Sequence, residues 1–145
     1  MRGKVLLVAT VYAHLAAFHI PFMKLLQSWG YEVHAAASPA KGRKEEVEPG
    51  GVTCWDIPFA RSATSLRNWR AYQELKALLS RNPYDLIHAP TPMAAWLGRL
   101  VAKRTSQSPV LYTAHGFNFY KGALWPHWPF YCPAERFAAC WTDWR

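Results

Sequence analysis

Four apolar runs constrain this chain more than anything else in it: Lys4–Thr10 (KVLLVAT), Tyr31–Ala37 (YEVHAAA), Tyr84–Ala89 (YDLIHA) and Val110–Ala114 (VLYTA). None alternates apolar with polar residues as a strand with one wet face would, so each reads as a strand covered on both faces. The stretches between them carry helical spacing. Leu15, Phe18, Phe22, Leu25, Leu26 and Trp29 recur at intervals of three and four before a stop at Gly30, which predicts one helix. Pro21 either sits in its first turn or kinks it. Ser65 caps a predicted helix over Leu66–Arg81, with Leu75, Leu78 and Leu79 inward and Asn82-Pro83 ending it. Pro92–Lys103 places Ala94, Leu97, Gly98 and Val101 on one face. Pro133–Trp141 does the same for Ala134, Phe137, Ala138 and Trp141, with Pro133 at the favoured first position. Val52–Ile57 reads as a weak strand, and Ser38–Gly51 as a solvated loop or irregular edge. Strand and helix alternate, so the fold class is α/β: a Rossmann-like parallel sheet flanked by helices, in one domain over residues 1–145.

The first run admits other readings. Met1-Arg2-Gly3-Lys4 before VLLVATVYA has the form of a signal peptide, and no Lys, Arg, Asp or Glu occurs from Val5 to Met23. His14, His19 and Pro21 interrupt that stretch, which favours a buried first strand. Apolar residues make up 51% of the chain, enough for a core, and 17 Lys and Arg against 9 Asp and Glu leave a charge of +8. That balance favours anionic partners: a phosphorylated substrate, an acidic lipid surface or nucleic acid. Cys54, Cys132 and Cys140 are odd in number and form no CxxC pair, which argues against a disulfide framework or zinc site and for a reducing compartment.

In an open parallel sheet, ligands sit at the carboxyl ends of the strands. Three loops gather there: Tyr12 to His14, His88 to Pro92, and His115 to Gly122. His115 can act as a general base or bond a hydroxyl or phosphate; it can equally hold its own loop. Gly116 permits close ligand approach or only shapes the turn. Lys121 can neutralise phosphate or lie solvated. His88 ends a strand and can face a ligand, whereas His34 lies mid-strand and reads as a satisfied core residue. His14 and His19 are five apart, which is not the spacing of a helical metal pair. The basic stretch from Arg61 and Ser62 to Arg70 either binds phosphate at a helix start or simply caps that helix. No GxGxxG, P-loop or DxD-type carboxylate pair is present, so neither a dinucleotide cofactor nor a metal is expected.

Together, KVLLVAT…HLAAFHIPFMKLLQSWGYEVHAAAS, IPFARSATSLRNWRAYQELK, YDLIHAPTPMAAWLGRLVA and VLYTAHGFNFYKGA…PAERFAACWTD resemble bacterial GT4-type glycosyltransferases, above all those of capsule and exopolysaccharide biosynthesis. The resemblance covers nearly the whole chain and corresponds to the N-terminal, acceptor-side half of a GT-B enzyme. It implies transfer of a sugar from a nucleotide-sugar to a glycan, often lipid-linked, with retention of configuration and no bound metal or other cofactor. It also implies that the missing C-terminal half holds the nucleotide-sugar and the family's paired glutamates, so the chain is expected to be truncated or to need a separate partner chain. His115 matches the histidine beside the transferred sugar and is the expected catalytic residue. Gly116 follows it in the motif; His14, His19, Arg61 and Ser62 fall on other characteristic positions, and with His88 and Lys121 form the expected substrate-binding set. Where the group reads HxHTPM, this chain has His88-Ala89-Pro90-Thr91-Pro92-Met93, with Pro90 in place of a histidine.

The expected partners are a nucleotide-sugar, a glycan or polyprenyl-linked acceptor, and peripherally the anionic inner face of a cell membrane, which the basic charge and many tryptophans suit. The expected location is cytoplasmic. A non-catalytic glycan-binding module or an inactive remnant is the rival reading, and a nucleic-acid binder is disfavoured.

Overall fold

The computed structural model describes residues 3–62, 64–107 and 109–112. Strands β1 (Gly3–Val11), β2 (Tyr31–Ser38), β3 (Thr53–Asp56), β4 (Leu86–Ala89) and β5 (Val110–Tyr112) form one sheet in the order β3-β2-β1-β4-β5. Every neighbouring pair is parallel. Helices α1 (Tyr12–Phe18), α2 (Ile20–Ser28), α3 (Lys44–Val47), α4 (Arg67–Arg81) and α5 (Pro92–Arg104) connect them. The chain winds outward from β1 to β3, then returns to lay β4 against the other side of β1, as a Rossmann-like sheet does.

Strand β1 explains the missing polar alternation. Leu6 and Val8 pack into a cluster with Leu75 and Leu79 of α4 and Ala95 and Val101 of α5. Val5, Leu7 and Ala9 pack on the opposite face with Leu15 of α1 and Met23 and Leu26 of α2. Both faces are dry, so neither parity of the strand can be polar. Burying each such side chain contributes about 1.5–3 kcal/mol, which makes β1 the element on which both layers depend.

The predicted helix over Leu15–Trp29 is two helices. Pro21 has no N–H, and inside a continuous helix its ring would meet the carbonyl four residues back. The chain therefore closes α1 at Phe18 and opens α2 with Pro21 in the first turn, leaving His19 as the joint between them. Ser38–Gly51 is more ordered than a solvated loop: α3 buries Val47 against the α1–α2 layer, while Arg43 and Glu46 pair outside. Helix α4 starts at Arg67 rather than Leu66, although the Ser65 hydroxyl still accepts from Arg67 N at 3.3 Å. Strand β4 starts at Leu86. Asp85 before it is tied to β1, its N–H donating to Lys4 O at 2.8 Å and its carboxylate accepting from Lys4 N at 2.7 Å.

The apolar N-terminal run is strand β1, and among the described residues no helix is long and apolar enough to cross a membrane. Strand β5 is seen to Tyr112. The rest of the predicted Val110–Ala114 strand and the predicted Pro133–Trp141 helix lie outside the described residues.

Candidate functional site

Because β1 and β4 are neighbours from which the chain departs in opposite directions, their carboxyl ends bound a crevice that no connection crosses. Three features build its walls. First, β1 carries one extra residue: Val8 pairs with Ala36, but Val11 pairs with Ser38. A bulge of this kind re-aims the strand end. Second, the re-aimed Thr10 meets Thr91, which precedes α5. Thr91 Oγ1 accepts from Thr10 N at 2.9 Å and lies 3.0 Å from Thr10 Oγ1. Thr91 therefore spends its hydroxyl on β1 rather than on capping α5. Third, α1 begins directly at Tyr12 with no intervening loop, which sets His14 on its first turn and His19 at the joint before α2.

These constraints bring three expected histidines together. The rings of His14 and His19 are 5.3 Å apart, and His19 meets His88 at the end of β4 edge-to-face at 5.5 Å. Phe18 lies 5.1 Å from His14, and Phe22 lies edge-on to His88 at 5.5 Å. His19 and His88 are buried, and His14 is half-buried. The joint created by Pro21 is what turns two histidines five apart into neighbours. Such a row can bond hydroxyls or phosphate oxygens and move protons near neutral pH. Among the described residues, no group of His, Cys, Asp and Glu is arranged to hold a metal ion.

Arg61 and Ser62 are exposed on the loop after β3, at the same carboxyl edge. Asn68, on the buried face of α4, holds that loop: its Oδ1 accepts from Ala60 N at 2.9 Å and its Nδ2 donates to Ser62 O at 2.8 Å. Sequence reading missed Asn68, though a signal existed. It is the one polar member of the stripe Asn68, Ala71, Leu75, Leu78, Leu79 that α4 buries. His115, Gly116 and Lys121 lie outside the described residues. Strand β5 beside β4 carries the chain toward the same edge.

A second missed feature braces the crevice from the β3 side. Asp56 is isolated in sequence, yet Lys44 of α3 reaches its carboxylate at 3.0 Å and Glu48 at 3.3 Å, and stands 5.8 Å from the centre of the Tyr12 ring. Hydrogen bonding to Asp56 raises the Lys44 ammonium above its ordinary value. Tyr12 is fully buried; burial first, and Asp56 second, push its phenol far above the usual range. Burial likewise pushes the Cys54 thiol up to about 11, so it is protonated at neutral pH. These groups are scaffold, with their protons held in place.

Residues 22–144 match the sequence profile of Glycosyltransferase Family 4. The "Putative glycosyltransferase EpsD" of Bacillus subtilis (strain 168) is 37% identical over 145 residues, covering 99% of this chain and 37% of that protein. The crystal structure of MurG from Acinetobacter baumannii superposes with a TM-score of 0.66 at 15% identity, over 97% of this chain and 40% of that one. The lipopolysaccharide outer core galactosyltransferase WaaB in its apo form gives 0.65 at 10% identity, over 97% and 38%. The two structures attest the fold alone. The chain thus spans well under half the length of each of these relatives.

Proposed function

The chain belongs to glycosyltransferase family 4, and from that premise we propose that it is the acceptor-side half of a retaining, metal-independent GT-B enzyme of exopolysaccharide biosynthesis. Its co-substrate is a nucleotide-sugar, and its acceptor a glycan, carried on a polyprenyl lipid. The observation that supports this reading most is the row His14, His19 and His88 at the crevice between β1 and β4. A sugar-transfer site needs groups that bond hydroxyls and accept or return a proton at neutral pH, and imidazoles do both.

In this reading the acceptor enters over α1 and β4. His88 and His19 orient its hydroxyls, and His14 meets the more exposed part of the acceptor. Arg61 and Ser62, steadied by Asn68, contact a phosphate or sugar from the β3 side. His115 stands beside the transferred sugar as the catalytic residue, with Gly116 allowing close approach. Lys121 offsets the charge that develops as the nucleotide diphosphate leaves. The C-terminal half of such an enzyme supplies the nucleotide site. The exposed Leu66 and Trp69, together with Arg61, Arg67 and Arg70, support peripheral contact with an anionic membrane from the cytoplasmic side. No nucleic acid takes part.

The test is a transfer assay with labelled nucleotide-sugars and a lipid-linked acceptor, run on the chain alone and with the C-terminal half of the Bacillus subtilis relative added. Transfer only in the mixture is expected, unaffected by EDTA and with the anomeric configuration of the donor retained. Robust transfer by the chain alone overturns the half-enzyme reading. Acceptor binding without transfer in either case replaces it with a glycan-binding module.

A further inference from the structure

Away from the crevice, the outer flank of the sheet carries a groove of about 250 Å³ between edge strand β3 and the second half of α4. Its floor is apolar, from Trp55, Ile57 and Leu78; its rim is polar, from Glu74, Arg81 and Asn82. Strand β2 separates β3 from β1, so the groove does not belong to the crevice. We propose that this groove is a second carbohydrate subsite, which holds a neutral pyranose unit of a glycan chain apart from the reacting end.

The indole of Trp55 is the centre of the argument. It is 37% exposed, yet its Nε1–H points inward and donates to His34 Nδ1 at 3.1 Å. An indole N–H can only donate, so His34 Nδ1 is an acceptor and Nε2 carries the ring proton toward Glu32 Oε1, 2.7 Å away. The buried imidazole thus fixes the indole by its polar atom and leaves carbon surface for the groove. Carbon surface of this kind meets the C–H face of a pyranose. The rim supplies what the hydroxyl edge of the same ring needs: a carboxylate that accepts, a guanidinium that donates and an amide that does both. Glu74 is already set by Arg70 Nε, which donates to its Oε1 at 2.9 Å. The groove is smaller than the roughly 300–1,000 Å³ of a site for a drug-sized ligand, which suits a sugar unit. The Glu74 and Asp56 carboxylates in its lining are already matched by Arg70 and Lys44, so they offer a ligand hydrogen bonding rather than net charge.

Titrating the full chain with chitotetraose and with maltotetraose, followed by the indole N–H resonances in nuclear magnetic resonance, tests this. Comparison with Trp55→Phe assigns the Trp55 signal. A saturable shift of that signal is expected for at least one probe, with a dissociation constant on the order of millimolar. Arg81→Ala, an exposed change on the rim, weakens it about tenfold. His88→Ala leaves it unchanged. No Trp55 shift with either probe overturns the proposal. So does a shift lost in His88→Ala, which puts the sugar in the crevice, or one indifferent to Arg81→Ala. An extended peptide that shifts β3 amides where sugars do not makes the groove a strand-pairing edge instead. The proposal stands or falls independently of sugar transfer.

Discussion

His34 and His88 sit at neighbouring levels of one sheet, opposite Leu6 and Leu7 of β1, and are equally buried at 3% and 4% exposure. Their surroundings differ completely. His34 is enclosed by polar groups that use both ring nitrogens: Glu32 at Nε2, with Trp55 and the Tyr84 hydroxyl at Nδ1. His88 packs against the rings of His19 and Phe22 and stands at the end of β4, beside the crevice. Burial and residue type therefore do not separate the two histidines. Position along the strand does, together with what the ring faces.

Mutations break that comparison most directly. His34→Ala should cost about 3 kcal/mol, because it opens a cavity and strands the buried Tyr84 hydroxyl. Urea denaturation reads the loss, while transfer per folded molecule in the reconstituted assay should be unchanged. A loss under about 1 kcal/mol would show that the polar enclosure of His34 is not structural. His88→Ala should do the reverse. Transfer should fall about 100-fold, equivalent to about 2.7 kcal/mol, with the melting temperature shifted by only a few degrees. Equal losses of stability in the two variants would erase the distinction.

Thr91→Val should cost about 2 kcal/mol by leaving the buried Thr10 N–H unmatched, and should also lower transfer, since the bulged end of β1 loses its anchor. Paired stability and transfer measurements sharpen the contrast between scaffold and crevice here.

The pH response belongs to the scaffold side. Tyr84, Tyr12 and Cys54 are all raised by burial. Each contributes stability that is full below its unfolded value, about 8.5 for Cys and 10 for Tyr, and is lost as pH climbs toward the raised one. Glu32 is lowered, first by its hydrogen bond with His34. Its contribution is present above the ordinary carboxylate value of about 4.3 and lost as pH falls through the lowered one. These groups should lower the melting temperature above about pH 8 and again below about pH 4. An alkaline limb that begins below pH 8 would contradict the burial of these groups. The smallest effect is a gain. Gly98 lies in α5 with a glycine's conformational cost, and a Cβ there would meet Ala89 Cβ at an ordinary 3.9 Å. Gly98→Ala should therefore stabilise by about 0.5–1 kcal/mol, read by the same denaturation.

The four strands were legible because burial on both faces leaves a mark in the residues themselves: Val5 to Val8 must all be apolar when α1, α2, α4 and α5 cover them. His14 and His88 were legible as candidates from their place near strand ends, and His19 only through the family resemblance. Their grouping was not, because it depends on how Pro21 divides a helix that spacing alone renders continuous. Lys44 and Asp56 were illegible for a plainer reason: twelve residues separate them, and only the packing of Val47 brings α3 over the end of β3. Asn68 lay between these cases, a polar residue in an apolar stripe whose meaning depends on a loop it touches.

The pairing of Leu7 with His88 has a consequence for motion. Strand β1 is bonded on both edges and covered on both faces, so its amides should exchange with solvent only when the whole domain opens. His88, tied to it, inherits that protection, while the exposed loop around Arg61 should exchange through small local openings. One wall of the crevice thus keeps its shape for as long as the domain stays folded. The other wall, anchored through Asn68, should yield more readily.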